Sequence, residues 1–153
     1  RGIDLCRSTL FDVLPKNLNL IRVAAPIFIP AGTGIQDTYS KLVKDKIHAS
    51  QLGETSLETL HSLAKWKRTI LSQHQFEAHS GIYAEGHYVR GFEEDLDATH
   101  SIYVLQFDWE QTINVGDRNL EYLHSTVNKI FQSLKTIEAT LLKVIPDYKT
   151  QLP

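Results

Sequence analysis

His100-Ser-Ile-Tyr-Val-Leu-Gln-Phe-Asp-Trp109 alternates two kinds of side chain along its length. Tyr103, Leu105, Phe107 and Trp109 are large and apolar, while His100, Gln106 and Asp108 fall on the positions of the other parity. Successive strand side chains point to opposite faces, so the spacing predicts a β-strand over 100–109 with an apolar face toward a core and a polar face. Residues 81–90 read as a second strand, and 91–99, which carry Glu93, Glu94, Asp95 and Asp97, as the loop between them. A connection of about nine residues lets the two strands pair as a hairpin. On the first strand Ala84 and Gly86 share parity with Arg90, and small side chains there would let a ligand approach the sheet closely.

Working outward, Leu120, Leu123, Val127, Ile130, Phe131, Leu134, Ile137 and Leu141 recur at steps of three and four. They predict one long amphipathic helix over about 117–144, its apolar stripe facing a core and Pro146 stopping it. Upstream, Ser62 is a good N-cap for a helix over about 63–74. At the start, Leu5, Leu10, Phe11 and Leu14 keep a helical rhythm that Pro15 is expected to end. Residues 20–24 and 27–29 read as short strands, 31–40 as a turn-rich loop, and 46–49 and 55–60 as two further strands. Strands and helices without regular alternation predict an α+β fold with a largely antiparallel sheet.

The 153 residues fit one domain, and 42% hydrophobic with 22% charged residues is ordinary for a soluble globular protein. A net charge of -2 argues against a nucleic-acid partner. The single cysteine, Cys6, cannot form an internal disulfide, which points to a reducing, cytoplasmic setting. No apolar run approaches the roughly 18 residues of a membrane span, and no secretory signal is visible. With no methionine and a helical pattern already running at Arg1, the chain is expected to be an internal or trimmed segment.

Three groups carry candidate chemistry. Arg90, Gln106 and Asp108 belong to the hairpin: a guanidinium forks onto phosphate or carboxylate, and a carboxylate suits an ammonium. The plainer reading is a surface ion pair between Arg90 and Asp108. Lys65, Lys67 and Arg68 crowd the start of a helix, where the macrodipole prefers anions, so a bound carboxylate or phosphate is one way to offset them. The plainer reading sends them into solvent. Asp37, in the loop, reads first as a turn residue. The seven histidines show no tight ligand spacing, so no transition-metal site is expected. Walker, nucleophile-elbow and dinucleotide motifs are missing from the sequence.

The octet His61-Ser-Leu-Ala-Lys-Trp-Lys-Arg68, then Gly81-Ile-Tyr83, then His100–Glu110 together resemble the aspartate–ammonia ligases. Arg22-Val-Ala-Ala-Pro-Ile27 and Gly34-Ile-Gln-Asp37 fall in matching order upstream, so the resemblance covers nearly the whole chain. It implies a class II aminoacyl-tRNA-synthetase-like antiparallel sheet flanked by helices, incomplete in this chain. It also implies a homodimer whose first helix and strand meet the second subunit. The implied reaction joins aspartate and ammonia through a β-aspartyl-adenylate, with ATP and magnesium as cofactors. By the same resemblance Lys67 holds the substrate α-carboxylate, and Gln106 and Asp108 lie near its amino group. Arg90 contacts the α-phosphate and the activated carbonyl, Asp37 handles ammonia, and Ser62 borders the same pocket. The remaining ATP ligands are expected in a C-terminal half.

The chain departs from the family pattern at Thr38-Tyr-Ser-Lys41, at Leu105 and at Tyr88, a bulky residue where an alanine is usual. These departures favour the alternative of a catalytically silent relative that binds an amino acid or regulates. A piece of an aspartyl- or asparaginyl-tRNA synthetase is a further alternative, which the acidic net charge disfavours.

Overall fold

A computed structural model of the chain describes residues 1–36, 49–89, 96–145 and 147–153. In chain order its elements are α1 (Gly2–Leu18), β1 (Leu20–Arg22), β2 (Phe28–Pro30), β3 (Ala49–Leu52), β4 (Thr55–Thr59), α2 (Ala64–Gln73), β5 (Gly81–Val89), β6 (Tyr103–Gln111) and α3 (Leu120–Val144). Helices stand beside small, partly antiparallel sheets, as an α+β chain should. The chain forms two compact units, one of residues 1–21, 77–81 and 111–153 and the other of residues 22–76 and 82–110. None of the helices among the described residues is long and apolar enough to cross a membrane.

The first unit is built on α1 packed against α3. Pro15 does not end α1 as its sequence predicts; the helix runs through it to Leu18 and stops at Asn19, in the left-handed region (φ 54). Proline removes a single amide donor, and here Leu14, Pro15 and Leu18 are all buried, so packing outweighs the lost bond. Asparagine tolerates the left-handed turn better than most residues. Asn17 Nδ2 donates to Ser133 Oγ at 2.8 Å, which joins the two helices at a buried point. Buried Glu138 accepts the amides of Gln151 and Leu152 at 2.7 and 3.2 Å, fixing the C-terminal residues to α3.

α3 starts at Asn119, whose side chain accepts the Tyr122 amide at 2.8 Å, and it covers only part of the expected stripe, with Leu141 buried and Ile130, Phe131 and Ile137 half-buried. Ser133, Glu138 and Leu141 are buried, while Leu120, Leu123, Val127 and Leu134 are exposed. One helix of α1's length covers only one side of an apolar surface wider than itself. Cys6, on α1, is half-buried.

The second unit holds two small sheets. β2, β4 and β3 lie in that order, both pairings antiparallel, with Ile29 opposite Glu58 and Ser50 opposite Leu57. Gly53 (φ 61) sits in the tight turn that joins β3 to β4. The predicted strand over 55–60 matches β4, and of the one over 46–49 only residue 49 falls among the described residues, as the start of β3. β1, β5 and β6, whose residues fall mostly in this unit, form the other sheet in the order β1-β5-β6. Tyr83 stacks on Phe107, and His87 meets Tyr103. One index rises by four as the other falls by four, so β5 and β6 run antiparallel, as a hairpin requires.

The apolar face of β6 is covered only in part: Phe107 and Trp109 are half-buried, with Phe107 against buried Tyr83. Ile29, Leu60, Leu63, Ala84 and Tyr88 form the core, with Trp66 and Val104 packed against them. Val104 shares parity with Gln106 and Asp108, so the core and the polar groups occupy one face. Tyr103 and Leu105, expected inside, are 56% and 47% exposed. Alternation reports that two faces differ, not which is covered; here the ion pairs described below allow the polar face to be half-buried.

β6 also starts three residues later than predicted, and Asp97 is the reason. Its Oδ1 accepts the Thr99 amide at 2.6 Å, the His100 amide at 2.8 Å and the Thr99 hydroxyl at 2.9 Å. Those bonds keep 97–100 in a turn. The Thr99 amide first, then the His100 ring and the Thr99 hydroxyl, lower the Asp97 carboxyl to about 2. A carboxyl lowered by folding stabilises the native state above its unfolded value near 3.8, and that contribution is lost as pH falls through about 2. A carboxyl NMR titration should therefore place the Asp97 midpoint near 2. Asp97→Asn should flatten the pH dependence of stability below pH 4. A midpoint near 4 would remove the turn as described.

Candidate functional site

The site grows from the entry into α2. Leu60, His61, Ser62 and Leu63 are all buried, which fixes where the helix begins. α2 starts one residue later than predicted, with Leu63 in the cap position and Ser62 just before it. Ser62 Oγ still accepts the Ala64 amide at 3.1 Å, closing a short turn ahead of the helix.

The three cations of this segment each find a partner within the chain. Lys65 Nζ donates to the carbonyls of Gln36 at 3.0 Å and Gly34 at 3.5 Å. Arg68 Nη1 meets Glu110 Oε1 at 3.4 Å. Lys67, fully buried, forms a hydrogen-bonded ion pair with Asp108 on β6. The crowding of positive charge at a helix start is thus offset by carboxylates and carbonyls of neighbouring elements. A ligand is not required for it.

Lys67, Gln106 and Asp108 come together, with Gln106 two positions before Asp108 on the same face of β6. The Gln106 Oε1 is buried and has no hydrogen-bond partner among the described residues. A buried acceptor left unmade costs about 1–3 kcal/mol, so a carbonyl in that state beside a carboxylate is a place where an N–H donor is wanted. Ser62 is buried on the strand–helix connection that leads to Lys67. Asp37 and Arg90, expected to handle ammonia and phosphate, lie outside the described residues, as do 91–95. The expected surface pair of Arg90 with Asp108 therefore falls outside the described residues; among those, Asp108 pairs with Lys67.

The open path over Ala84 and Gly86 is corrected by the structure. Ala84 is fully buried in the core, and the ring and hydroxyl of Tyr88 lie directly over Gly86. A tyrosine two positions along a strand shares the glycine's face, and its long side chain folds back over the space a missing Cβ leaves.

Two contributors were not singled out from the sequence. Glu110 continues the parity of Gln106 and Asp108, so the alternation already contained it. Gln36 is buried, its Nε2 donating to Thr59 O at 2.5 Å and its Oε1 accepting the His61 amide at 3.0 Å. Its place next to Asp37 was the sole signal. Beside it, Thr33, Gly34, Ile35, Lys65, Arg68 and Thr69 line an open cleft of about 500 Å³.

Chemically, the arrangement offers a fully buried cation paired with a partly exposed anion, with an unused acceptor next to the anion. A ligand that carries both a carboxylate and an ammonium can replace each partner for the other without leaving a buried charge alone. A ligand with only one of them cannot.

A family profile described as aspartate-ammonia ligase matches residues 1–153. An aspartate–ammonia ligase of Pediococcus pentosaceus is 43% identical over 153 residues, covering 99% of this chain and 45% of that protein. One of Clostridium tetani is 43% identical over 141 residues, covering 92% of this chain and 41% of that protein. One of Clostridium perfringens is 40% identical over 143 residues, covering 93% and 42%. The chain spans less than half the length of these curated relatives.

Proposed function

The chain belongs to the aspartate–ammonia ligase family, and on that premise we propose that the protein it forms makes L-asparagine from L-aspartate, ammonia and ATP. The observation that carries the reading is the buried Lys67–Asp108 pair with the Gln106 carbonyl beside it. It is a cradle for the two charged groups of an α-amino acid.

In this reading the substrate α-carboxylate takes the place of Asp108 on Lys67, and the α-ammonium takes the place of Lys67 on Asp108 and donates to Gln106. Ser62 borders the pocket. Held at that end, aspartate presents its side-chain carboxylate to ATP. A carboxylate oxygen attacks the α-phosphorus, the bond to pyrophosphate breaks, and a β-aspartyl-adenylate forms. Arg90 offsets the charge that builds on the α-phosphoryl oxygens. Ammonia nitrogen then attacks the β-carbonyl, the bond to AMP breaks, and the proton lost by nitrogen goes toward Asp37.

Magnesium fits this scheme as an ion carried on the ATP phosphates. Among the described residues no group of three His, Cys, Asp or Glu side chains could hold a metal, so no protein ligand is assigned and no step runs through it. The same reading places the protein in the cytoplasm as a homodimer with a class II synthetase-like sheet. It assigns the rest of the ATP site to chain outside these 153 residues.

Pyrophosphate release by the full-length protein tests the proposal, with ATP and magnesium present. Release that requires aspartate, with asparagine formed only when ammonia is added, is the expected result. Aspartate binding without release would favour the silent relative. Neither binding nor release would overturn the amino-acid cradle itself.

A further inference from the structure

The apolar seam of α3 steps by three and four from Leu120 to Leu141, the rhythm of a stripe that packs along its whole length. α1 covers one flank, marked by fully buried Ser133, where Asn17 Nδ2 reaches the hydroxyl at 2.8 Å. At the C-terminal end of the helix the seam is covered as well: Leu141 is buried, and Glu138, one turn before it, holds residues 151 and 152. The N-terminal part is open. Leu120, Leu123, Val127 and Leu134 are 70%, 53%, 51% and 40% exposed.

The chain that leaves α3 has a direction. The Tyr148 amide bonds the Ile145 carbonyl at 3.1 Å and turns the backbone at the end of the helix. The Gln151 and Leu152 amides then bond Glu138 at 2.7 and 3.2 Å, and the Pro153 carbonyl meets Lys135 Nζ at 3.4 Å. Successive residues thus pass Ile145, then Glu138, then Lys135, running antiparallel to α3 and toward Leu134. Lys135 in turn lies over the Phe131 ring, 5.5 Å from its centre, at the edge of the open stripe.

We propose that the segment following Pro153 in the full-length protein continues along α3 and covers Leu134, Phe131, Val127 and Leu123 with apolar side chains. The chain spans less than half the length of its curated relatives, so a longer protein supplies such a segment. From Lys135 to Leu123 the helix rises about 18 Å, which extended chain crosses in about six residues and a second helix in about twelve. A second copy of the protein is the poorer occupant. Four exposed side chains fall far short of the roughly 20–30 residues a side that a stable interface uses. The proposal holds whatever reaction the full-length protein catalyses.

The test places the photo-crosslinking residue p-benzoylphenylalanine at Leu123 of the full-length protein, irradiates it at low and high protein concentration, and identifies the joined peptides by mass spectrometry. Joining within one chain, to the first fifteen or so residues after Pro153 and with the same yield at both concentrations, is the expected result. Joining to a second copy, to a more distant part of the chain, or to no peptide would overturn the proposal. Val127→Cys is the gentler companion should the bulky group disturb folding, since a thiol is close to valine in size. Its reaction with a maleimide, read at the labelled peptide, should be roughly tenfold or more slower than that of Asn128→Cys at the neighbouring exposed position. A covered thiol reacts only through local opening. Equal rates at the two positions would leave the stripe bare and overturn the proposal.

Discussion

Asp108→Ala should lower the stability of the protein by about 3–5 kcal/mol, the cost of leaving one partner of a buried ion pair without the other. Lys67 is 0% exposed and Asp108 20%, so the two single substitutions are not equivalent. Removing the carboxylate strands an ammonium that water cannot reach. Removing the lysine leaves a carboxylate that water can partly reach, together with a cavity in place of the aliphatic stem. Lys67→Met should therefore cost less than Asp108→Ala. The double variant Lys67→Met/Asp108→Leu, which replaces the pair with apolar side chains, should regain much of the loss. All three should lose aspartate binding, since the cradle needs both charges. Denaturant unfolding of the full-length protein, beside calorimetric titration with aspartate, reads both effects. An Asp108→Ala variant within 1 kcal/mol of the wild type would mean that the pair contributes nothing to the fold.

Gly86→Ala should cost about 1–3 kcal/mol, the usual penalty of overpacking a filled interior. A methyl group on Gly86 would overlap the Tyr88 ring and hydroxyl, and that ring is buried among Ile29, Leu60 and Leu63. The tyrosine would have to leave its place before the methyl could fit. Tyr88→Ala alone should cost about 3–5 kcal/mol as a large cavity. In its background, however, Gly86→Ala should cost far less than it does alone, because the ring that meets the methyl is gone. A double-mutant cycle measures this coupling directly. Strictly additive costs would show that the ring does not lie over Gly86.

Much of the fold was legible because its signals are local. β4, α2 and β5 were placed to within a residue, α2 from a serine before an apolar stretch. Errors arose where a tertiary contact overrode a local rule. Pro15 ended nothing because its neighbours are packed, and β6 began late because the Asp97 carboxylate captured the amides that a strand would have used. The inside face of β6 could not be read from its alternation, since a half-buried Asp108 and an exposed Leu105 fit the same pattern as their opposites. At the site, Lys67, Gln106 and Asp108 were named from the sequence, and their convergence needed the fold. That Lys67 and Asp108 would satisfy each other was invisible, because the helix and the strand that carry them are far apart in sequence.

The first unit also sets a timetable for the ribosome. α1 is made before its partner α3, which follows only after about 100 further residues. At about 5–20 residues per second, the helix waits roughly 5–20 seconds for the surface that buries Leu14 and Leu18. During that interval the nascent chain carries an uncovered apolar ridge. Synonymous codons that slow translation between the two helices would lengthen the wait, and so raise the demand on chaperones without changing a single residue.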